Sequence, residues 1–232
     1  MPLDHARIRA LLFDIDGTLR DTDDELVDRV ASMLRPFGRA LPANDPKRAA
    51  RRFVMRVESP VQRCLGVVDR TGIDRHAHAL VTRWASLRGA REMRLIDGVR
   101  EMLAELGPRY ELAVVSAGPR GAVERFLRQH DLSDVFSAVA TGLTCRHTKP
   151  APDPVLWAAR TLGVAPAQCV LIGDTTADVI AARRAGAQSI GVLCGFGERD
   201  ELEHAGVDAI LASTGELTAL LRGAGNAHVR PV

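Results

Sequence analysis

The amino-acid sequence predicts an α/β fold with an open, mostly parallel β-sheet. Short apolar runs rich in Val, Ile and Leu recur along the 232 residues, and helical patterns separate most of them. This alternation is typical of buried parallel strands joined by helical crossovers. One long interval after the first apolar run breaks the alternation, which indicates an insertion into the sheet domain.

Five strands and several helix boundaries follow from these patterns. The predicted strands are "RALLFDID", "ELAVVSAG", "VFSAVATG", "CVLIGD" and "QSIGVL". One helix is predicted to begin near Pro119, a second to begin at Asp153 as its cap and to stop at Gly163, and a third to stop at Gly186. The segment "STGE" from Ser213 to Glu216 has the pattern of a capping box.

The interval over residues 21–94 contains helical patterns and no clear strand. Its helical segments are "TDDELVDRVASMLRPFG", "DPKRAARRFVMRV" and "DRHAHALVTRWASLRGA", and Thr22 with Glu25 resembles a capping box at the start of the first. We therefore assign residues 1–20 and 95–232 to a Rossmann-like α/β core domain. Residues 21–94 are predicted to form an all-helical domain inserted after the first strand.

Composition limits the classes of partner. The chain is 46% hydrophobic and 26% charged with a net charge of +2, so it offers no broad basic field for nucleic acid. No apolar run approaches the roughly 20 residues of a membrane span, and "MPLDHARIRA" lacks the apolar stretch of a signal peptide. These features predict a cytoplasmic protein with neither a nucleic-acid nor a membrane partner.

Lysine is rare in this sequence. Of 31 basic residues, 29 are Arg and only Lys47 and Lys149 are Lys. A lysine ammonium is a compact point charge that can approach one oxygen among several ligands, whereas arginine presents a wide planar fork. A lysine near a predicted site therefore calls for a functional explanation.

Acidic residues follow two of the predicted strands. In an open parallel sheet, ligands bind outside the carboxyl ends of the strands, so residues at those ends meet at one edge. Four carboxylates are placed there, namely Asp14, Asp16, Asp174 and Asp178. Carboxylate oxygens at this density suit Mg²⁺, which keeps some waters and shares its coordination with a substrate phosphate.

Hydrogen-bond donors are predicted at the same edge. Ser116 follows the second strand and Lys149 follows the third. The backbone N–H groups around Gly17, Thr18 and Ala117 are further donors. Such donors are suited to phosphate oxygens, so the sequence predicts a phosphate site beside the metal site.

Taken together, four motifs resemble those of the haloacid dehalogenase superfamily, and most closely its phosphoglycolate phosphatase branch. They are "DIDGTLRDT", "VVSAG", "KPAPD" and "GDTTADVIAARRAG", which occur in the family's order and span essentially the whole chain. The family also has a helical cap domain after its first motif, where the insertion lies. The resemblance implies a Mg²⁺-dependent phosphatase that hydrolyses a small, phosphoglycolate-like phosphate monoester through an aspartyl-phosphate.

The resemblance also implies a role for each acidic residue. Asp14 resembles the nucleophile, and Asp16 resembles the general acid that later acts as base. The carboxylates of Asp14 and Asp174, with the main-chain carbonyl of Asp16, would bind Mg²⁺. Asp178 would support this site without binding the ion, and Lys149 would neutralise charge between Asp14 and the phosphoryl oxygens.

Two alternative functions remain open at this stage. One is a phosphosugar mutase of the beta-phosphoglucomutase type, in which a sugar hydroxyl accepts the phosphoryl group, and the other is a catalytically silent binding or regulatory protein. Ala117 occupies a position where many phosphoglycolate phosphatases have Asn, so the sequence does not specify which phosphate ester is the substrate. The sequence does not specify the oligomeric state either. In the insertion, the spacing predicts one shared helix face for Arg48, Arg52 and Arg56. We interpret this face as exposed to solvent rather than as a contact to the substrate.

Overall fold

The computed structural model describes residues 3–21 and 93–222. By its internal contacts the chain divides into two units, Met1–Asp21 with Met93–Val232, and Thr22–Glu92. The second unit lies outside the described residues. The predicted helical domain over residues 21–94, its capping box and its arginine stripe therefore remain predictions.

A six-stranded parallel sheet forms the centre of the described unit, in the order β3-β2-β1-β4-β5-β6. The strands are β1 (Ala10–Phe13), β2 (Glu111–Val115), β3 (Ala138–Ala140), β4 (Cys169–Gly173), β5 (Gln188–Val192) and β6 (Ala209–Leu211). The predicted α/β class and all five predicted strands are confirmed. β6 was not predicted from the sequence, because the three-residue apolar run "AIL" is too short for its periodicity to distinguish a strand from a helix.

Six α-helices accompany the strands in the described part of the chain. They are α1 (Val99–Leu106), α2 (Arg120–Gln129), α3 (Asp153–Thr161), α4 (Thr176–Ala185), α5 (Arg199–Ala205) and α6 (Leu217–Arg222). No helix among these residues is long and apolar enough to cross a membrane.

Three predicted helix boundaries are confirmed. Pro119 precedes the first residue of α2. Gly186, with φ of +76°, ends α4, and Gly163, with φ of +69°, follows the last turn of α3. Glycine adopts such left-handed angles without the steric penalty that a Cβ would bring, and it therefore ends helices readily.

Two predicted caps are wrong. Asp153 is the first residue of α3 and not its cap, and its carboxylate contacts Nδ1 of His147 at 3.0 Å. Thr214–Glu216 is a short 3₁₀ turn, and Ser213, which precedes it, makes no side-chain capping hydrogen bond. Glu216 accepts instead from the N–H of Ala212 at 2.9 Å, so a neighbouring backbone donor replaces the expected one.

The sheet is buried on both faces. Leu11 and Phe13 of β1 join an apolar cluster on one face, whereas Ala10 and Leu12 join a cluster on the other. Alternate residues of a strand point to opposite faces, so a strand buried on both sides reads as a continuous apolar run. Within the described unit, β1 is an interior strand between β2 and β4, and the residues after it lie at the carboxyl edge of the sheet.

Candidate active site

Three buried carboxylates meet beyond the carboxyl ends of β1 and β4. Asp14 continues the pairing of the two strands, since its N–H donates to the carbonyl of Ile172 at 2.9 Å. Asp174 directly follows β4, and Asp178 lies in the first turn of α4. One oxygen from each of Asp14, Asp174 and Asp178 lies within 4.8 Å of the others. The tertiary structure thus brings together three of the four carboxylates singled out in the sequence.

Lys149 bridges two of these carboxylates. Its Nζ lies 2.8 Å from Oδ1 of Asp14 and 2.6 Å from Oδ1 of Asp178, and its side chain is only 5% exposed. Burial alone would lower the pKa of Lys149, but the negative charges of Asp14 and Asp178 raise it above its usual value. The ammonium therefore stays charged inside the site.

Asp178 uses both of its oxygens in internal contacts. Oδ1 accepts the hydrogen bond from Lys149, while Oδ2 accepts from the Thr175 N–H at 3.1 Å and from its hydroxyl at 2.6 Å. A carboxylate held by donors on both oxygens orients its partners. These contacts fix the position of Lys149, and the supporting role of Asp178 stays a prediction.

Asp174 has one oxygen without a partner. Its Oδ2 accepts a hydrogen bond from the N–H of Phe196 at 2.7 Å. Its Oδ1 is buried and has no hydrogen-bond partner among the residues that the structure describes. Burial raises the pKa of Asp174 well above its usual value, and the nearby charges of Asp14 and Asp178 raise it further. A buried, unpartnered carboxylate oxygen is costly unless a cation accompanies it.

Glycines make room for the Asp174 side chain. A Cβ on Gly17 would lie 2.3 Å from Oδ2 of Asp174, and a Cβ on Gly195 would lie 2.1 Å from the same atom. A Cβ on Gly197 would lie 1.7 Å from the main-chain oxygen of Asp174. Two loops can therefore close around this carboxylate only because side chains are absent at these positions.

The charge balance of the cluster fits a hard divalent cation. Three carboxylates face one ammonium, Lys149. Burial raises the pKa of Asp14 to about 7. The positive charge of Lys149 lowers this pKa but does not offset the effect of burial, and the negative charge of Asp178 raises the pKa further. Mg²⁺ and similar hard ions prefer oxygen ligands such as carboxylates. Among the described residues, Oδ1 of Asp174 has no other partner. The residues present fit such an ion.

Asp16 stands apart from this cluster. Its side chain is 40% exposed, and its Oδ1 lies 2.9 Å from Nη2 of Arg20, an ion pair without the alignment of a hydrogen bond. Its Oδ2 is 3.8 Å from the point that a Cβ on Gly118 would occupy. The carboxylate thus lies between Arg20 and the loop after β2.

The loop after β2 presents Ser116 to the same space. Ser116 is buried, and its N–H donates to the carbonyl of Ala140 at 2.9 Å. Its Oγ accepts from the N–H of Gly118 at 3.0 Å, which leaves the hydroxyl hydrogen free to donate to a ligand. The N–H of Ala117 has no acceptor within the described ranges, as expected for a ligand-binding donor.

Two predicted backbone donors are already engaged. The N–H of Gly17 donates to the carbonyl of Arg20 at 2.9 Å, and the N–H of Thr18 donates to the carbonyl of Ile15 at 3.2 Å. The turn after β1 closes these hydrogen bonds on itself, so neither N–H is presented to a ligand, contrary to the prediction. The N–H of Asp16, by contrast, has no acceptor in the part of the chain that is described.

A profile of the haloacid dehalogenase-like hydrolase family matches residues 11–192. The chain belongs to this family. The predicted resemblance is confirmed, and with it the prediction that the protein is an enzyme, a phosphoric monoester hydrolase.

Known relatives of this hydrolase share most of its length. The phosphoglycolate phosphatase of Nitrosospira multiformis is 31% identical over 221 residues, covering 93% of this chain and 96% of the relative. That of Xanthomonas campestris pv. campestris is 34% identical over 202 residues, covering 84% and 88%. A solved haloacid dehalogenase-like family hydrolase from Streptococcus pneumoniae has the same fold, with a TM-score of 0.66 at 24% identity over 93% of this chain and 99% of that one.

In this hydrolase a distant threonine supports the turn after β1. Thr214 Oγ1 donates a 2.6 Å hydrogen bond to the carbonyl of Thr18, 196 residues away, and both residues are fully buried. The Cys194 thiol donates to the carbonyl of Gly17 at 3.5 Å. These contacts, and the hydrogen bond from the N–H of Phe196 to Asp174, were not predicted from the sequence. The "GFG" after β5 was the available signal, since closely spaced glycines mark a close backbone approach.

Proposed function

We propose that this hydrolase is a Mg²⁺-dependent phosphatase that hydrolyses a small, phosphoglycolate-like phosphate monoester through an aspartyl-phosphate on Asp14. The observation that carries the proposal is the buried set of Asp14, Asp174 and Lys149, in which Oδ1 of Asp174 has no hydrogen-bond partner among the described residues. The names of the relatives support the choice of ester. The partner is then a small phosphorylated metabolite, and residues 21–94 keep their proposed role as a helical cap.

The metal would be held by the carboxylates of Asp14 and Asp174 and by the main-chain carbonyl of Asp16. When bound, Mg²⁺ supplies positive charge that offsets the phosphoryl oxygens and the carboxylates. Asp178 is proposed to act through Lys149, because its oxygens are occupied by Lys149 and Thr175. Electrostatic positioning of this kind is the main requirement of phosphoryl transfer.

In the first step, a carboxylate oxygen of Asp14 attacks phosphorus and the bond from phosphorus to the leaving oxygen breaks. Asp16 gives its proton to that oxygen, so the alcohol leaves neutral. The Nζ of Lys149 lies 2.8 Å from Asp14, and Lys149 would contact the phosphoryl oxygens during the attack. The Ser116 hydroxyl and the N–H of Ala117 are available to bind those oxygens.

In the second step, water attacks the phosphorus of the aspartyl-phosphate. Asp16, now ionised, takes a proton from the water, and the bond between phosphorus and the Asp14 oxygen breaks. Inorganic phosphate leaves, the Asp14 carboxylate is restored, and Asp16 is again protonated. The partial exposure of Asp16 leaves room for water beside it.

The test is a panel of phosphate esters assayed with Mg²⁺ and ranked by kcat/KM, including phosphoglycolate, sugar phosphates and pyrophosphate. We expect phosphate release to be highest with phosphoglycolate-like esters and absent in Asp14→Asn. Full turnover in excess chelator would contradict the metal assignment. Isomerisation of a sugar phosphate without phosphate release would identify a mutase, and inactivity toward every ester would favour a binding protein.

A further inference from the structure

Arg20 extends beside the proposed acid of the reaction. Its Nη2 lies 2.9 Å from Oδ1 of Asp16, and its side chain is 29% exposed. Among the described residues, Asp16 has the one carboxylate within 4 Å of this guanidinium. A guanidinium has five N–H donors in a planar fork. Within the described ranges the Arg20 guanidinium contacts one carboxylate oxygen through one terminal nitrogen, so its other donors face no carboxylate there.

The backbone of Arg20 is held firmly in the site. Its N–H donates to the carbonyl of Ile15 at 2.8 Å, and its carbonyl accepts from the N–H of Gly17 at 2.9 Å. It also forms a bridge with Leu95, where the chain returns to the core. The side chain therefore starts from a point fixed relative to Asp14 and Asp16, and it can select among ligands without a large movement of the backbone.

The two oxygens of Asp16 face different groups. Oδ2 lies toward the loop of Ser116 and Gly118, where phosphate donors are presented, and Oδ1 lies toward Arg20. If Asp16 protonates the leaving oxygen, the alcohol part of the ester must contact Asp16. That part of the substrate is then a neighbour of the Arg20 guanidinium.

We propose that Arg20 is a specificity-determining residue that binds a carboxylate on the alcohol part of the ester, which assigns the substrate class as short phospho-oxy carboxylates. The inference rests on the proposed function. Arginine binds carboxylates through paired, charge-assisted hydrogen bonds. With a neutral alcohol, Asp16 would be the only anionic partner of the guanidinium among the described residues. The selected feature is therefore negative charge, two or three bonds from the leaving oxygen.

The experiment compares two esters of matched size, phosphoglycolate and 2-hydroxyethyl phosphate, which has a neutral hydroxymethyl group in place of the carboxylate. We expect Arg20→Gln to lower kcat/KM for phosphoglycolate roughly 10- to 100-fold more than for the neutral ester. Arg20→Lys, which keeps the charge and most of the stem, should retain part of the preference. Arg120→Gln, which removes an exposed Arg that pairs with Glu124, is the matched control and should leave both values unchanged.

Equal losses on the two esters would overturn the inference, because they would mean that Arg20 acts on Asp16 alone. A wild-type enzyme that hydrolyses both esters equally well would overturn it as well, while leaving the phosphatase proposal intact. Failure of the wild type to hydrolyse any phosphate ester would instead contradict the proposed function. Arg20→Glu gives a second reading, since we expect it to shift the preference toward the cationic ester 2-aminoethyl phosphate; an unchanged preference contradicts the inference.

Discussion

Lys149 donates a 2.6 Å hydrogen bond to Oδ1 of Asp178, and both side chains are almost completely buried. The same ammonium lies 2.8 Å from Asp14. Because Thr175 donates to the other oxygen of Asp178, both oxygens of this carboxylate accept hydrogen bonds. Its contacts make it the support that holds Lys149 against Asp14.

Replacing Asp178 should therefore weaken catalysis without abolishing it. Asp178→Asn removes the charge that holds Lys149 and sets an amide against the Thr175 N–H, so we expect kcat to fall about 10- to 100-fold. Steady-state kinetics and thermal unfolding measure the effect. Thr175→Ser keeps the hydroxyl and is the control. A loss as complete as that of Asp14→Asn would indicate that Asp178 takes part directly.

Metal binding should be visible in stability, independently of turnover. An ion that binds the folded chain raises Tm as its concentration increases, and we expect Mg²⁺ to do so in the wild type. Asp174→Asn removes the charge of the carboxylate with an unpartnered oxygen and should abolish the shift. Asp16→Asn keeps the main-chain carbonyl and should retain it. Identical shifts in wild type and Asp174→Asn would contradict the metal site.

The loop around Gly197 should not accept a side chain. A Cβ there would lie 1.7 Å from the main-chain oxygen of Asp174, so Gly197→Ala must displace the loop that holds this carboxylate. We expect the free energy of unfolding to fall by about 1 to 3 kcal/mol and Mg²⁺ to bind more weakly. Urea unfolding and a Mg²⁺ titration test both effects.

The control for that substitution is Gly121→Ala in α2, where a Cβ would meet nothing within 4 Å. Its stability should stay the same or increase slightly, because alanine favours a helix. If both variants behaved alike, the close approach of the loop to Asp174 would have no energetic importance.

The hydrogen bond from Thr214 to the carbonyl of Thr18 should contribute to folding stability. Thr214→Val keeps the shape but leaves a buried carbonyl without its donor, so we expect a loss of about 1 to 3 kcal/mol in the free energy of unfolding. Thr214→Ser keeps the hydroxyl and should lose less. Urea denaturation of the three proteins measures the difference. Greater loss in the serine variant would show that methyl packing, and not the hydrogen bond, matters at this position.

Replacement of Asp14 and replacement of Asp16 should have different effects on catalysis. Asp14→Asn removes the attacking oxygen anion, so no phosphoenzyme should form with any ester. Asp16→Asn removes the acid, whose help is worth about 10² to 10⁴ in rate, so alkyl esters should lose far more than aryl phosphates. Rapid quenching with a labelled aryl phosphate would locate the acyl-phosphate. Label on another residue, or equal losses with both ester types, would contradict these roles.

Much of the site was predictable because its residues follow strands. Continuous apolar runs identified five of the strands, and the carboxyl ends of parallel strands meet at one edge of a sheet. Asp14, Ser116, Lys149 and Asp174 could therefore be placed together from their positions in the sequence. β6 was not predicted, because its three half-buried residues are too few to show a strand's period.

The sequence by itself determined the fold class, the strand ends and the motifs, since these depend on local periodicity and on residue order. Only the tertiary structure decided which polar atoms form hydrogen bonds within the protein and which are left to bind a ligand. It shows that the N–H groups of Gly17 and Thr18 donate hydrogen bonds within their own turn. It also shows that Thr214 donates to the carbonyl of Thr18, 196 residues away. Among the described residues, Oδ1 of Asp174 has no hydrogen-bond partner. Hydrogen bonds of this kind depend on distances between segments far apart in the chain, which no local pattern encodes.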